Sequence, residues 1–289
     1  MAVNEFYKEA KEIREEIRDR ITEYLKTINH NMIKDIVLQR NANSSFLKGT
    51  ISYFLQEDLS NKLSHEDRVE FCSGLEILCT SGVILDNAVD MHEERYNKTT
   101  YLKEYGREMQ ILASQQILCK GIRILLPFLG GIKREQSNLF RFDEVVMGMA
   151  KMDVYHSNRL DEQIKVIEET NGLFNESSFA ITAIAATDEI EKVKEVCNYG
   201  FNLGTALGIY EEIRDLLGHH GRRRATEIEA GRCIVPIYYA IKSNPNFPLE
   251  KYLSKTIDDN LYIELISSLY QYGALQKSEA LVKSYLEKA

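Results

Sequence analysis

The sequence predicts an all-α chain, and three observations carry that expectation. Only four prolines occur in 289 residues, which leaves long stretches free of the residue that breaks helices. Charged residues make up 28% of the chain and often fall at i, i+4 spacing, where they support one another on a helix surface. Apolar residues recur every three or four positions, the period of a helix face packed on a core.

The elements follow in order. Residues 4–28 set Ile13, Ile17, Ile21 and Leu25 on one face, an amphipathic helix. Asn41 to Ser45 reads as a loop, and a second helix runs through Leu47 and Phe54. Ser64, with Asp67 three residues on, resembles a capping box that opens a long helix running past Asp90. Residues 100–127 continue helical to Pro127, and Gly130-Gly131 makes a turn. Helices over roughly 140–160, 163–187 and 188–217 come next, and Gly218 to Arg224 has loop character. Pro245 and Pro248 precede two closing helices. No repeat, low-complexity run or linker divides the chain, so residues 1–289 read as one domain.

At 33.3 kDa the chain can bury a core without disulfide or metal staples. The net charge of −8 argues against a nucleic-acid binder, whose affinity rests on basic patches. The five cysteines (Cys72, Cys79, Cys119, Cys197, Cys233) form no CxxC pair or zinc spacing and read as reduced, packing thiols. The charged N-terminus is not expected to be a signal peptide. No 18 consecutive residues are apolar, so no membrane span is expected. A cytoplasmic protein is the expectation.

Two acidic clusters stand out. Asp86-Asn87-Ala88-Val89-Asp90 closes the apolar run Ile77 to Leu85, and Glu211-Glu212-Ile213-Arg214-Asp215 closes the glycine-marked run Gly204 to Ile209. Positions four apart share a helix face. Taken alone, such pairs ordinarily belong to a solvated surface. Following apolar turns, they instead offer hard oxygen ligands suited to Mg²⁺. A di-iron bundle would need two Glu-x-x-His repeats; the sequence has only the near miss Asp153 to His156.

Around these clusters the chain resembles a divergent member of the trans-isoprenyl diphosphate synthase (polyprenyl synthetase) family, from about residue 46 to 285. The family's DDxxD and following RRGxPT are matched by Asp86 to Asp90 and Arg95 to Thr100. Its GxxFQxxDDxxD is matched by Gly204 to Asp215. The tail GKxxGxDLxxGKxTLP is matched by Gly221-Arg222, Glu227-Ile228 and Gly231 to Pro236. The resemblance implies an isoprenoid-synthase-type helical bundle around a deep central cavity. It also implies Mg²⁺ held by Asp86, Asp90, Glu211 and Asp215, and ionisation of an allylic prenyl diphosphate. Arg95, Thr170, Arg222 and Arg232 would face the diphosphate. Ser81 and Gly82, small where the family floors its product cavity, imply room for a chain of about C15–C20.

Departures from the family pattern are equally specific. The inner aspartate of the first motif is Asn87, and the leading pair of the second is Glu211-Glu212. The family's phosphate-binding KT pair is Glu169-Thr170, and the FQ pair is Leu207-Gly208. At the isopentenyl diphosphate site, Lys48 alone survives from the basic signature, the histidine is Cys79 and the second arginine is Tyr96. The resemblance therefore implies a prenyltransferase with a degraded isopentenyl diphosphate site. Two alternatives stay open: a class I terpene cyclase, and a catalytically weak subunit paired with an active synthase. By the same analogy a homodimer, or a heterodimer with such a synthase, is expected.

Overall fold

A computed structural model describes residues 3–60, 62–89, 94–95, 98–99, 101–131, 134–154, 159–218 and 223–289. Asp90 and Arg222 lie outside the described residues, as does the side chain of Arg95. Among the described residues the chain is all-α apart from a two-residue antiparallel ladder, β1 (Glu94–Arg95) on β2 (Lys98–Thr99). It divides into two compact units, residues 1–137 with 181–193, and residues 138–180 with 194–289.

The first unit is built from α1 (Val3–Lys26), α2 (Asn31–Ala42), α3 (Leu47–Leu59), α4 (His65–Val89), α5 (Tyr101–Leu125) and the short α6 (Arg134–Ser137). Ile13, Ile17, Ile21 and Leu25 of α1 are all buried, the stripe that the sequence period anticipates. Ser64 caps α4 by accepting the Asp67 N–H at 3.1 Å. The Asp67 carboxylate accepts the Ser64 hydroxyl instead of reaching back to the main chain.

Helix α2 is absent from the sequence reading. It buries only Ile36, Val37 and Asn41, too few apolar positions to make a stripe. Helix α5 packs along α4, where Gly121 and Gly74 allow close approach: a Cβ at Gly121 would stand 2.9 Å from the Leu78 nitrogen. The predicted unbroken helix from residue 100 is interrupted at Gly106 (φ 80°), a backbone state open to glycine. The segment Tyr101–Leu129 is, by mean hydropathy and length, the one described stretch able to cross a membrane. Part of its apolar content, Ile117, Ile124 and Leu125 among it, is spent on the core.

The second unit holds α7 (Phe142–Val154), α8 (Leu160–Ile167), a π-helical turn (Glu168–Gly172), α9 (Leu173–Ala186, shared with the first unit), α10 (Ile190–Leu217), α11 (Thr226–Glu229), α12 (Val235–Ser243), α13 (Asp259–Gln271) and α14 (Ala274–Lys288). The single helix expected over 163–187 is thus two helices joined by a π turn. Gly200, Gly204 and Gly208 form a four-residue-spaced ridge on α10. A Cβ at Gly204 would lie 2.3 Å from the Asn171 carbonyl oxygen. The bare ridge brings α10 against the π turn and α9. Leu216, Ile228, Ile237, Tyr252, Leu265 and Leu269 pack a core shared by α10 to α13.

Candidate functional site

The end of α4 carries the first acidic motif. Asn87 and Ala88 are buried, whereas Asp86 is half-buried. One turn earlier, Ser81 is buried and donates its hydroxyl to the Leu78 carbonyl at 2.6 Å. Its own carbonyl accepts from Ser114 of α5 at 2.9 Å. Ser81 is therefore committed to the α4–α5 contact, and Gly82 beside it is half-buried.

The end of α10 uses its three carboxylates in three ways. Glu211 is exposed and pairs with Arg214 at 2.6 Å. Glu212 accepts from Gln163 Nε2 of α8 at 2.6 Å and from the Val235 N–H, the first residue of α12, at 2.7 Å. Burial pushes its carboxyl up to about 7, against the pull of those two donors. Asp215 is buried and accepts the Thr226 hydroxyl and the Glu227 N–H (3.1 Å), while its carbonyl accepts the Ala225 N–H at 2.8 Å.

These contacts have a local cause. The N-caps of α11 and α12 are Ala225 and Ile234, neither of which has a side-chain oxygen. Asp215 and Glu212 supply the missing caps from another helix. Ala225 also sits in the left-handed region (φ 58°), a strained state for alanine. Asp215 holds that residue and the two that follow it.

The basic positions are similarly engaged. Arg232 is half-buried and ion-paired to Glu227 at 2.5 Å, beside the Asp215 contact. Thr170 is buried in the π turn, and its hydroxyl donates to the Val166 carbonyl at 2.8 Å. Glu169, next to it, is ion-paired to Lys151 of α7 and lies 3.9 Å from Lys165 of α8. In the first unit, Lys48 is half-buried. Burial pushes its ammonium below the usual lysine range, while Cys79 and Glu76 pull it back. Glu76 is itself buried and accepts the Gly49 N–H at 2.6 Å.

Several of these contacts are invisible to sequence reading. Lys151, Gln163 and Glu76 reach their partners only through packing, and no motif spacing marks them. The one available signal was Gly148, which permits α7 to touch the π turn: a Cβ there would meet the Glu169 carbonyl oxygen at 3.0 Å.

Whether this donor set suits Mg²⁺ can be asked residue by residue. Asp215 accepts the Thr226 hydroxyl at one oxygen and the Glu227 N–H at the other, and both bonds fix the direction of its carboxylate. Carboxylates oriented by such bonds commonly ligate metals. Glu211 is a second hard oxygen donor on the α10 end, and Asp86, in the first unit, is the one described on the α4 end. Glu212 fits less well, because burial favours its neutral form, and a metal ligand must be ionised. Among the described residues no three Asp, Glu, His or Cys side chains converge on one point.

The helix order and the two acidic helix ends define a fold of the isoprenoid-synthase type. The chain belongs to the polyprenyl synthetase family, whose model matches residues 43–269. It is 23% identical over 202 residues to a short chain isoprenyl diphosphate synthase of Methanocaldococcus jannaschii, covering 67% of this chain and 60% of that relative. It is 27% identical over 207 residues to a geranylgeranyl diphosphate synthase of Saccharolobus solfataricus, covering 68% and 59%. The matched part is thus less than two thirds of either relative. The fold is similar to that of geranylgeranyl pyrophosphate synthetase from Pyrococcus horikoshii, with a TM-score of 0.82 at 19% identity, covering 100% of this chain and 91% of that one.

Proposed function

We propose that this chain is a prenyltransferase of the prenyl diphosphate synthase kind, acting on an allylic prenyl diphosphate of about C15–C20 with Mg²⁺. The observation that supports it best is the retention, in family order, of carboxylates at the ends of α4 and α10 within a family match over residues 43–269. Asp86, Asp90, Glu211 and Asp215 would hold the metal. When bound, Mg²⁺ neutralises charge and makes the diphosphate a better leaving group.

The remaining roles belong to the chain's own residues. Arg95, Arg222 and Arg232 orient the diphosphate, and Thr170 shapes the π turn beside it. Gly82, half-buried beside the committed Ser81, leaves room for the prenyl tail. The allylic C–O bond breaks with its electron pair departing on diphosphate. An apolar wall then shields the cation from water until an acceptor attacks it. Lys48, half-buried beside Glu76 and Cys79, is the sole cation left from the isopentenyl diphosphate signature, so this acceptor site is degraded. A homodimer is part of the proposal.

A second reading, a weak subunit of an active synthase, is favoured by one observation. The cation expected at position 169 is a carboxylate. The test is Mg²⁺-dependent release of inorganic diphosphate from C10, C15 and C20 allylic diphosphates, with and without isopentenyl diphosphate, using Asp86→Ala as control. Release with an altered prenyl product supports the prenyltransferase. Release that requires isopentenyl diphosphate and lengthens the chain overturns the degraded acceptor site. Cyclised product without an acceptor means a terpene cyclase. No release from the folded protein puts the subunit reading first.

A further inference from the structure

Glu169 poses a physical problem for a site that binds diphosphate, because a carboxylate beside phosphate oxygens repels them. The structure places two cations on that carboxylate: Lys151 of α7 in direct ion pairing, and Lys165 of α8 at 3.9 Å. The cluster carries two positive charges and one negative, a net single positive charge, the same as one lysine at position 169. The neighbouring Glu168 is directed elsewhere, accepting the Tyr285 hydroxyl at 2.7 Å.

Two features of the backbone produce this cluster. Gly148 lets α7 approach the π turn so closely that a Cβ would meet the Glu169 carbonyl oxygen and the Thr170 methyl, both at 3.0 Å. Lys151, three residues further along α7, projects from the same face and so reaches Glu169. The second feature is the π turn itself, Glu168–Gly172. A single-turn π segment inside a helix is an uncommon geometry that is concentrated at functional sites.

We propose that Lys151, held by Glu169, is the diphosphate-binding cation of this site, relocated from the π turn to α7. An ammonium has three donors. One is spent on Glu169, which fixes the direction of the side chain, and two remain for phosphate oxygens. Lys165, largely exposed, balances the rest of the Glu169 charge. An ordinary structural ion pair at this exposure would contribute little to stability and nothing to binding.

The inference rests on the allylic diphosphate reading above, and the experiment separates the two. Binding of C15 and C20 allylic thiolodiphosphates, which resist ionisation, is measured by calorimetry with Mg²⁺ for wild type, Lys151→Gln, Glu169→Gln and the double variant Lys151→Gln/Glu169→Lys. Melting temperatures are recorded alongside. The expected result is binding by wild type, about tenfold loss in Lys151→Gln, as for one charge-assisted hydrogen bond, and recovery in the double variant, which returns the cation to position 169. Glu169→Gln should keep most of the affinity, because the cation is still present. Wild-type affinity retained by Lys151→Gln overturns the inference and leaves the reading standing. No binding by folded wild type overturns both. Loss in Lys151→Gln without recovery in the double variant also overturns the relocation.

Discussion

The ends of α4 and α10 carry the same carboxylate spacing, yet the two are used differently. At the end of α10 two carboxylates face helix starts that lack polar caps, and Glu212 and Asp215 fill them. Asp86, near the end of α4, is half-buried, and the next described element in the chain is the two-residue ladder of β1 on β2 instead of a helix. An i, i+4 acidic pair is therefore not one device. Its role depends on which unsatisfied N–H groups the chain brings next to it.

The comparison breaks most readily at Asp215. Asp215→Ala removes the acceptor for the Thr226 hydroxyl and the Glu227 N–H at a buried position, and should cost about 3 kcal/mol. Urea unfolding without metal or substrate measures it. If Asp215 served only a metal, this metal-free stability would not change.

Glu212→Gln tests the second cap through pH. The folded protein holds the Glu212 proton more tightly than the unfolded chain, with a value raised from 4.5 to about 7. Its contribution to stability is therefore fully present below pH 4.5 and is lost as pH rises toward about 7. Glutamine cannot titrate. Wild-type stability should fall relative to Glu212→Gln across that window, and denaturation midpoints of the pair at successive pH values measure the trend. Parallel curves would mean that Glu212 titrates normally.

The smallest effect on stability is expected at Glu211. It is exposed and, among the described residues, paired to Arg214 on its own helix, so Glu211→Ala should change stability by less than about 0.5 kcal/mol. A loss of Mg²⁺-dependent turnover of about a hundredfold at unchanged stability would mark it as the α10 carboxylate given over to function. Equal turnover would place Glu211 outside the chemistry.

Much of the fold could be read directly from residue order. The Ile13 to Leu25 stripe, the Ser64 cap, the long acidic-ended helices and the closing pair all follow from short-range periodicity and capping chemistry, which act within a few residues. Helix α2 escaped that reading because its burial is not periodic. The π turn escaped it because nothing in Glu168–Gly172 distinguishes a wider turn from an α-helical one. The acidic motifs were visible as residues, but their division of labour was not.

What the sequence determined by itself is therefore the class of fold, the family and the positions of the carboxylates, since helix faces and motif spacing are local properties. What only the tertiary structure decided is what each charge meets. Asp215 caps α11, Glu212 caps α12, and Lys151 pairs with Glu169 across the close approach that Gly148 permits. Such pairings depend on how segments distant in the chain pack together. A charge's partner then sets whether it supports the fold or remains available for binding.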